Sequence, residues 1–389
     1  MRILKAVQAY YPFREKGGPI VKVRALARTL AQRGHEVSVL TADLGLAGRE
    51  DVGMRIERCN WGWRAEQDGV EAIYLPTLAH YRAMTINPHV VRFCRSSLRA
   101  FDVVHFYGLY DLLGPAVSFF CRRHGIPYVI EPMGMNRPIE RNIPLKRLWH
   151  RTVGGAFWQN AAKIVATSEL EQRELIEDRV SPQKVVVRHN GVELASDRAK
   201  FRRGSFRTQH GVPMNEPLVL FLSRLIPRKG ADILIQAFAK ACPKSGNLVI
   251  AGPEGESDYL AFLKKCALDS GVAHRVIFTG PLYEDEKKAV LVDADIFVLP
   301  SRYENFANVI AEAIAYDIPV IISPFCGIRP LVEQRAGLVV IPDADSVSRA
   351  LHQLIEDKSL YIRLQKGCRE VAAELSWDHL TQQMERYYA

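Results

Sequence analysis

The sequence predicts an α/β protein of two doubly wound, parallel-sheet domains, and three observations lead to this prediction. Short apolar runs alternate with amphipathic stretches along the 389 residues, which is typical of parallel sheets. The alternation stops once, in a charged segment at about 192–217, as expected of a linker. The chain is also longer than one ordinary core supports. We therefore expect domains over 1–200 and 206–374, followed by a last helix at 375–389.

The first predicted domain opens with a strand, a glycine loop and a helix at 21–32. Gly17, Gly18 and Pro19 form the loop, where glycine lets the backbone approach a ligand and the helix start offers free N–H groups. The spacing is not G-x-G-x-x-G, so a dinucleotide fingerprint is absent. The predicted strands of this domain are 3–7, 36–40, 102–106, 128–130, 164–166 and 185–187.

The second series of apolar runs predicts a separate parallel sheet. Its strands are expected at 218–222, 248–251, 276–278, 296–299, 320–322 and 338–341.

Composition restricts the class of protein. Hydrophobic residues make up 48% and charged residues 24% of the chain, as in soluble globular proteins. The longest apolar runs are shorter than the ~20 residues that cross a bilayer, and the N-terminus reads as a strand, not as a signal peptide. Seven scattered cysteines without a C-x-x-C pair favour reduced thiols in a cytosolic protein over disulfides or structural zinc.

The net charge of +9 is unevenly distributed. Residues 1–210 carry 33 basic and 20 acidic side chains, a net charge of +13, and the remainder carries −4. A basic face would attract an acidic lipid surface or a phosphorylated acceptor, whereas a solvated surface without a partner is the equal alternative. Nucleic acid is the weakest candidate partner because no nucleic-acid-binding motif is present.

Two acids eight residues apart, Glu304 and Glu312, lie on an Ala-rich predicted helix and its approach. Carboxylates accept hydrogen bonds from sugar hydroxyls, and the backbone N–H groups at the helix start favour an anion. A solvated helix face would be the simpler explanation of an isolated pair. The preceding strand and the motif described next favour a nucleotide-sugar site. The residues at this helix start are Asn305, Phe306, Ala307 and Asn308.

A second motif places Arg224 and Lys229 in a strand-to-helix loop. Arg grips phosphate oxygens in a fork and Lys acts as a compact charge. Two cations at this place would stabilise a departing diphosphate without a metal. Asp293 and Asp295 precede a strand without further ligands and are expected at the surface, so we predict no metal site.

These motifs resemble those of the retaining glycosyltransferases of family four, which carry a Glu-x7-Glu motif in this setting. The resemblance implies the GT-B architecture, in which two Rossmann-like domains face one another, ligand binds at the carboxyl ends of their strands, and the last helix returns to the first domain. It assigns Arg224 and Lys229 to the donor diphosphate, and Glu304 to the sugar. It assigns Glu312 to the ribose. Donor contacts are also implied for Gly18, Gly252, Leu282, Asn305, Phe306, Ala307 and Asn308.

The resemblance places the acceptor against Gly17 and the end of the strand at 102–106, where His105 and Tyr107 are the candidate contacts. A core histidine bonded to backbone is an equal explanation for His105. Four residues depart from the family pattern: Met133 replaces a histidine that contacts the donor, Ser223, Ala307 and Asp317 replace glycines. Glu131 or Asn136 is the candidate substitute for the missing histidine. Alanine at position 307 can still donate its N–H, so that the loop survives, if its φ is negative.

The sequence thus predicts a retaining, metal-independent glycosyltransferase without a cofactor, acting in cell-surface polysaccharide or glycoconjugate assembly. The donor is expected to be a UDP- or GDP-linked hexose, the acceptor a glycan or a lipid-linked molecule, and the location cytoplasmic, at the inner membrane face. Two alternatives remain open. One is a nucleotide-sugar epimerase or phosphorylase on the same fold, and the other is a non-catalytic subunit that binds nucleotide-sugar or glycan.

Overall fold

The computed structural model describes residues 1–13, 18–44, 55–81, 84–137, 143–194, 200–242 and 244–389. These residues divide into two compact units. Unit 1 comprises Met1–His189 and Trp377–Ala389, and unit 2 comprises Asn190–Ser376. The division falls just before the predicted linker, and the C-terminal helix belongs to unit 1.

Unit 1 is built on a nine-stranded sheet of order β11-β10-β9-β8-β1-β2-β5-β4-β3. All its pairings are parallel except β3–β4 and β4–β5. Its strands are β1 (Arg2–Ala6), β2 (Glu36–Ala42), β3 (Ile56–Cys59), β4 (Gly62–Gln67), β5 (Val70–Leu75), β8 (Val103–Tyr107), β9 (Tyr128–Glu131), β10 (Lys163–Ala166) and β11 (Val185–Val187), and a separate hairpin holds β6 (Ala79–Tyr81) and β7 (Met84–Ile86). Its helices are α1 (Gly18–Gln32), α2 (Val90–Ser96), α3 (Leu113–His124), α4 (Ile143–Arg151), α5 (Val153–Gln159), α6 (Glu169–Glu177) and α15 (Trp377–Tyr388), with short 3₁₀ turns at Leu98–Ala100 and Pro182–Lys184.

Unit 2 is built on a six-stranded parallel sheet of order β14-β13-β12-β15-β16-β17. Its strands are β12 (Leu218–Leu222), β13 (Asn247–Ala251), β14 (Val276–Gly280), β15 (Ile296–Leu299), β16 (Val320–Ile322) and β17 (Gly337–Val339). Its helices are α7 (Ser205–His210), α8 (Ala231–Ala241), α9 (Tyr259–Asp269), α10 (Glu284–Asp293), α11 (Asn308–Ala315), α12 (Arg329–Val332), α13 (Ala344–Glu356) and α14 (Lys358–Glu374), with 3₁₀ turns at Pro227–Lys229 and Ala273–Arg275. The predicted fold class is therefore confirmed for both units.

Strand β5 and the hairpin β6–β7 were not predicted, and neither was the hairpin β3–β4 at the edge of unit 1. Its residues mix charged and aromatic side chains, so they lack the apolar run that marks a buried strand. Gly62 opens β4 with φ +155, and a Cβ there would lie 2.2 Å from the carbonyl oxygen of Tyr74. The hairpin thus packs on β5 through a close backbone approach that only glycine allows.

Apolar side chains cover both faces of the unit 1 sheet. Leu4, Phe106 and Ile130 face one core, whereas Ile3 and Val129 face the other, beneath α1 and α15. Parallel strands buried on both faces read as continuous apolar runs, which is why β1, β2 and β8 to β11 were predictable, whereas β5 is also buried but was not predicted. The last helix is held against α1 by Arg33, whose guanidinium Nε donates to Glu385 over 2.8 Å.

The prediction that Asp293 and Asp295 lie at the surface is wrong. Asp293 is fully buried, and its carboxylate accepts hydrogen bonds from the backbone N–H groups of Gly204 and Arg207. Asp295 accepts from the Arg207 guanidinium over 2.6 Å and from the Leu218 N–H over 2.9 Å. The two acids therefore attach α7 to the start of β12. The sequence analysis did not predict that α7 packs against them.

Candidate active site

In unit 2 the loops that carry the predicted donor residues all follow the carboxyl ends of parallel strands. Such ends share one edge of a sheet, where α/β proteins bind ligands. Two glycines hold these loops together. At Gly252 (φ +144) a Cβ would lie 1.8 Å from the Ser223 carbonyl oxygen, and at Gly230 (φ +75) it would lie 2.5 Å from that of Pro300. The loop after β12 is thus pressed against the ends of both β13 and β15.

Lys229 and Glu304 form an ion pair at this edge. Lys229 ends the 3₁₀ turn Pro227–Lys229 and is 8% exposed. The backbone of Glu304 is fixed on both sides, because its N–H donates to Phe325 over 2.9 Å and its carbonyl oxygen accepts from Gly327 over 2.9 Å. Two side chains that lie 75 residues apart in sequence therefore meet with little freedom.

Arg224 lies in the same loop with its side chain exposed to solvent. It forms no ion pair with any residue in the described part of the chain. The adjacent backbone is fixed, since Leu225 donates to Pro253 over 2.9 Å and accepts from Gly255 over 3.1 Å. The loop that carries Lys229 of the Lys229–Glu304 pair thus also carries an unneutralised guanidinium, and these two cations suit a diphosphate.

The segment from Asn305 to Asn308 leads into α11. Phe306 is buried and anchors it, and Asn308 accepts a hydrogen bond from the Asn190 side-chain amide over 2.7 Å. Ala307 has φ +73, so the condition of a negative φ is not met. The helix that follows fixes the chain direction, and this overrides the preference of alanine.

Two of the other positions that depart from the family pattern also have left-handed backbones. Asp317 has φ +60 and Met133 has φ +56, followed by Gly134 at φ +77. A non-glycine residue in this left-handed region costs roughly 1–2 kcal/mol. The chain therefore retains the backbone of these turns at a cost in stability.

Glu312 is half-buried on α11 and pairs with Lys287 of α10 over 2.6 Å. Leu282, in the turn before α10, is half-buried and packs against the core. The structure thus brings Glu304 to Lys229 and Glu312 to a second lysine.

A cluster of buried charges lies in unit 1 on the sheet face beneath α1. Glu131 ends β9 and is fully buried. Its carboxylate accepts from Lys22 and, over 2.6 Å, from Arg188, and the His105 ring nitrogen Nε2 lies 3.6 Å away. Burial, reinforced by the charge of Arg188, lowers the pKa of Lys22. Glu131 is thus a structural counter-ion and does not replace the missing histidine.

His105 and Tyr107 belong to the same buried region. Tyr388 of α15 and His105 Nδ1 share a hydrogen bond of 2.7 Å, and Lys5 Nζ donates to the Tyr107 hydroxyl over 2.7 Å. Burial, with the nearby charge of Lys5, lowers the pKa of His105. The His105 side chain is therefore a neutral member of the core. Asn136, the other proposed substitute, is buried and faces Glu174 at 3.5 Å.

Lys5, Lys22 and Arg188 were missed by the sequence reasoning. The sequence feature that indicates such a buried charge is a single basic residue in an apolar run. Lys5 lies inside the run at 3–7, and Arg188 ends the run at 185–188.

A cavity of about 160 Å³ opens at the carboxyl edge of unit 1. Tyr107, Gly108, Asp111, Met133 and Met135 contribute to its lining. Asp111 caps the start of α3, where its carboxylate accepts from the Gly114 N–H over 2.7 Å, and burial raises its pKa to about 6.

Gly18 opens α1, and Pro19, which follows it, lines this cavity. Gly17 lies outside the described residues.

A family profile for group 1 glycosyl transferases matches residues 203–371, and a profile for the glycosyl transferase 4-like domain matches residues 17–191. The chain is a family-four-type glycosyltransferase with the GT-B fold.

Two relatives of this glycosyltransferase match over nearly its whole length. An uncharacterized glycosyltransferase of Methanocaldococcus jannaschii is 26% identical over 97% of this chain and 95% of its own. A D-inositol 3-phosphate glycosyltransferase of Jonesia denitrificans is 27% identical over 96% and 91%. Among solved structures, Anabaena HepE in complex with UDP aligns over 100% of this chain and 99% of its own, with a TM-score of 0.77 and 20% identity. HepE has also been solved with UDP-glucose.

None of the helices in the described residues has the length and apolar character needed to cross a membrane. Within the same residues, no three His, Cys, Asp or Glu side chains are grouped as metal ligands would be.

Proposed function

We propose that this glycosyltransferase moves a hexose-type sugar, with retention of configuration and without a metal or other cofactor, from a nucleotide-diphosphate sugar to a glycan or lipid-linked acceptor. The observation that carries the proposal is the Lys229–Glu304 pair together with the unneutralised Arg224 in the same loop as Lys229. These groups supply two cations for a diphosphate and a carboxylate for sugar hydroxyls. The donor complexes of HepE favour UDP over GDP as the nucleotide.

The proposed transfer is a same-face displacement. The bond between the sugar C1 and the diphosphate oxygen breaks, the acceptor oxygen bonds to C1 on the same face, and the acceptor proton passes to the departing phosphate. Arg224 and Lys229 stabilise the negative charge that develops on the leaving group. Glu304 holds the sugar, Glu312 accepts from the ribose hydroxyls, and no side chain acts as nucleophile.

The acceptor is proposed to bind at the unit 1 cavity through Tyr107, the Gly108 backbone and the loop at Gly17. The apolar Met133 and Met135 beside Asp111 suit a molecule with both hydroxyl and apolar surface.

Helix α4 supports a lipid-linked acceptor at an anionic inner membrane surface. Its Leu145 and Leu148 are 59% and 57% exposed, and none of its residues is buried. Lys146, Arg147 and Arg151 lie on the same short helix, which contains no acid. Exposed leucines flanked by cations bind the interface of anionic bilayers, where each basic residue contributes about 1 kcal/mol.

The donor site is tested by thermal-shift assays with UDP, GDP, ADP and their sugars, followed by donor turnover with and without acceptor. Arg224→Ala and Lys229→Ala should each lower kcat/KM by about 10²–10³, whereas the exposed Arg363→Gln on α14 should leave it unchanged. Full activity of both alanine variants would refute the site. Conversion of the donor without an acceptor would indicate an epimerase, a requirement for free phosphate a phosphorylase, and binding without turnover a non-catalytic subunit.

The membrane proposal is tested by co-sedimentation with phosphatidylcholine vesicles containing phosphatidylglycerol or lacking it. The double variant Leu145→Ser, Leu148→Ser should release the protein from the anionic vesicles. Leu268→Ser in unit 2, where the leucine is 69% exposed, is the matched control. Equal binding of all three proteins would exclude α4 as the contact.

A further inference from the structure

Unit 1 contains a second and larger cavity, at the opposite end of its sheet from the proposed acceptor site. Its volume is about 760 Å³. Ser38 of β2 and Glu71 of β5 form part of its floor, near the amino ends of these parallel strands. Trp61, in the β3–β4 turn, lines one side and Arg92 of α2 lines the other. We name this cavity, defined by these four residues, the amino-end groove.

The topology explains why the groove exists. Parallel neighbours in such a sheet are ordinarily joined by a crossover helix that covers the sheet face. In the described residues between β2 and β5, the connection contains the antiparallel hairpin β3–β4. The sheet face at Ser38 and Glu71 is therefore flanked by a turn and by α2, and it is left open between them.

The floor of the groove is polar. Ser38 Oγ donates to Glu71 Oε2 over 2.9 Å, which orients the carboxylate and leaves its remaining lone pairs for other donors. At the rim, Arg2 pairs with Glu36 over 2.7 Å. Arg92 is exposed and forms no ion pair with a described residue. The groove thus offers two carboxylates and a guanidinium that is available for a ligand.

The aromatic wall is rigid. Trp61 is half-buried and packs edge-to-face on the buried Phe93, with ring centroids 5.6 Å apart. Such a ring gives a ligand a flat apolar surface at little entropic cost.

These groups select among ligand classes. The lining carries Arg2, Arg64 and Arg92 against Glu36 and Glu71, and this mixture of charges suits a ligand of sparse rather than dense negative charge. An apolar ligand would leave the ionic groups of the groove desolvated without partners. A chain of sugars meets all the requirements, because its hydroxyls bond to carboxylates and its C–H faces rest on an aromatic ring. The available guanidinium adds a place for a carboxylate.

We propose that the amino-end groove binds an acidic oligosaccharide. Trp61 lies against a sugar ring, Ser38 and Glu71 bond to hydroxyls, and Arg92 holds a carboxylate of the glycan. The volume lies within the ~300–1,000 Å³ of ligand sites, enough for a short oligosaccharide. A glycan in the groove lies away from the sheet edge where transfer is proposed. Binding in the groove does not depend on the proposed donor chemistry.

The test measures binding of two probes to the full chain by saturation-transfer NMR and calorimetry. The acidic probe is an octasaccharide of alternating glucuronate and N-acetylglucosamine, and the neutral probe is maltooctaose. The acidic probe should bind more tightly, and Arg92→Gln should weaken it by about tenfold while changing the neutral probe little. Trp61→Ala should weaken both. Arg99→Gln, on the neighbouring 3₁₀ turn, is the control and should change neither.

Absence of binding by both probes, or unchanged binding of the acidic probe to Arg92→Gln, overturns the proposal. Arg92 is exposed, so its variant remains informative even if Trp61→Ala disturbs the hairpin. UDP affinity is measured in parallel and should be the same in all variants. Loss of UDP binding by the unaltered chain would refute the proposed donor site and leave the oligosaccharide result unaffected.

Discussion

The buried carboxylate of Glu131 gives the sharpest stability prediction. The perturbation is Glu131→Gln, which preserves the shape of the side chain and removes its charge. In the folded chain Glu131 and Arg188 are both fully buried, and Lys22 is 5% exposed. Removing one member of a buried ion pair typically costs about 3–5 kcal/mol, because the remaining charges lose their counter-ion inside the protein.

For a unit of about 200 residues, each kcal/mol lowers Tm by about 2–4 °C, so Tm should fall by roughly 6–20 °C. The assay is calorimetric unfolding, with a fluorescence probe to separate the two units, and the loss should affect unit 1. The matched control is Glu177→Gln, whose ion pair with Arg137 is 65% exposed at the glutamate. The control should cost at most about 1 kcal/mol.

The pH dependence gives an independent check. Burial already lowers the pKa of Lys22, and loss of Glu131 lowers it further. Between the folded pKa and the unfolded value of about 10.4, the unfolded lysine binds more protons than the folded one, so stability rises with pH across that window. The deficit of the variant should therefore shrink as the pH rises through the folded pKa of Lys22 in the parent chain. A deficit below about 1 kcal/mol, or one equal to that of the control, would refute the assignment of Glu131 as the counter-ion.

Three further variants test the backbone and the acceptor edge. Ala307→Gly should stabilise unit 2 by up to about 1 kcal/mol in chemical unfolding, because relief of left-handed strain exceeds the added chain entropy; Ala239→Gly in α8 should instead destabilise it by about 1 kcal/mol. Asp111, with a folded pKa of about 6 against 3.8, binds more protons folded than unfolded, so its contribution to stability falls as pH rises through that window. Asp111→Asn should therefore gain about 1–3 kcal/mol relative to the parent between pH 4 and pH 7, and a constant difference would contradict this. Gly252→Ala, with its 1.8 Å clash, should abolish UDP binding or folding, whereas Gly271→Ala, which has open space at φ +71, should cost about 1 kcal/mol.

Much of the fold was predictable because parallel strands buried on both faces leave a continuous apolar run. The strands that contain Leu4, Val104 and Ile321 are of this kind, and these three side chains are fully buried. The hairpin at 56–67 was missed since its exposed side chains have no such constraint. The family resemblance identified the loops that hold Arg224 and Glu304, but it gave neither their partners nor their backbone conformations.

The sequence by itself determined the fold class, the two parallel sheets and the membership in a glycosyltransferase family, because these depend on local periodicity and on short motifs. Only the tertiary structure decided which charges meet. Lys229 pairs with Glu304 and Arg188 with Glu131 across 75 and 57 residues. It also decided that Ala307, Asp317 and Met133 adopt left-handed backbones. The physical reason is that long-range packing fixes where a chain must turn and which buried charges lie within reach, and neither is encoded by the residues adjacent in sequence.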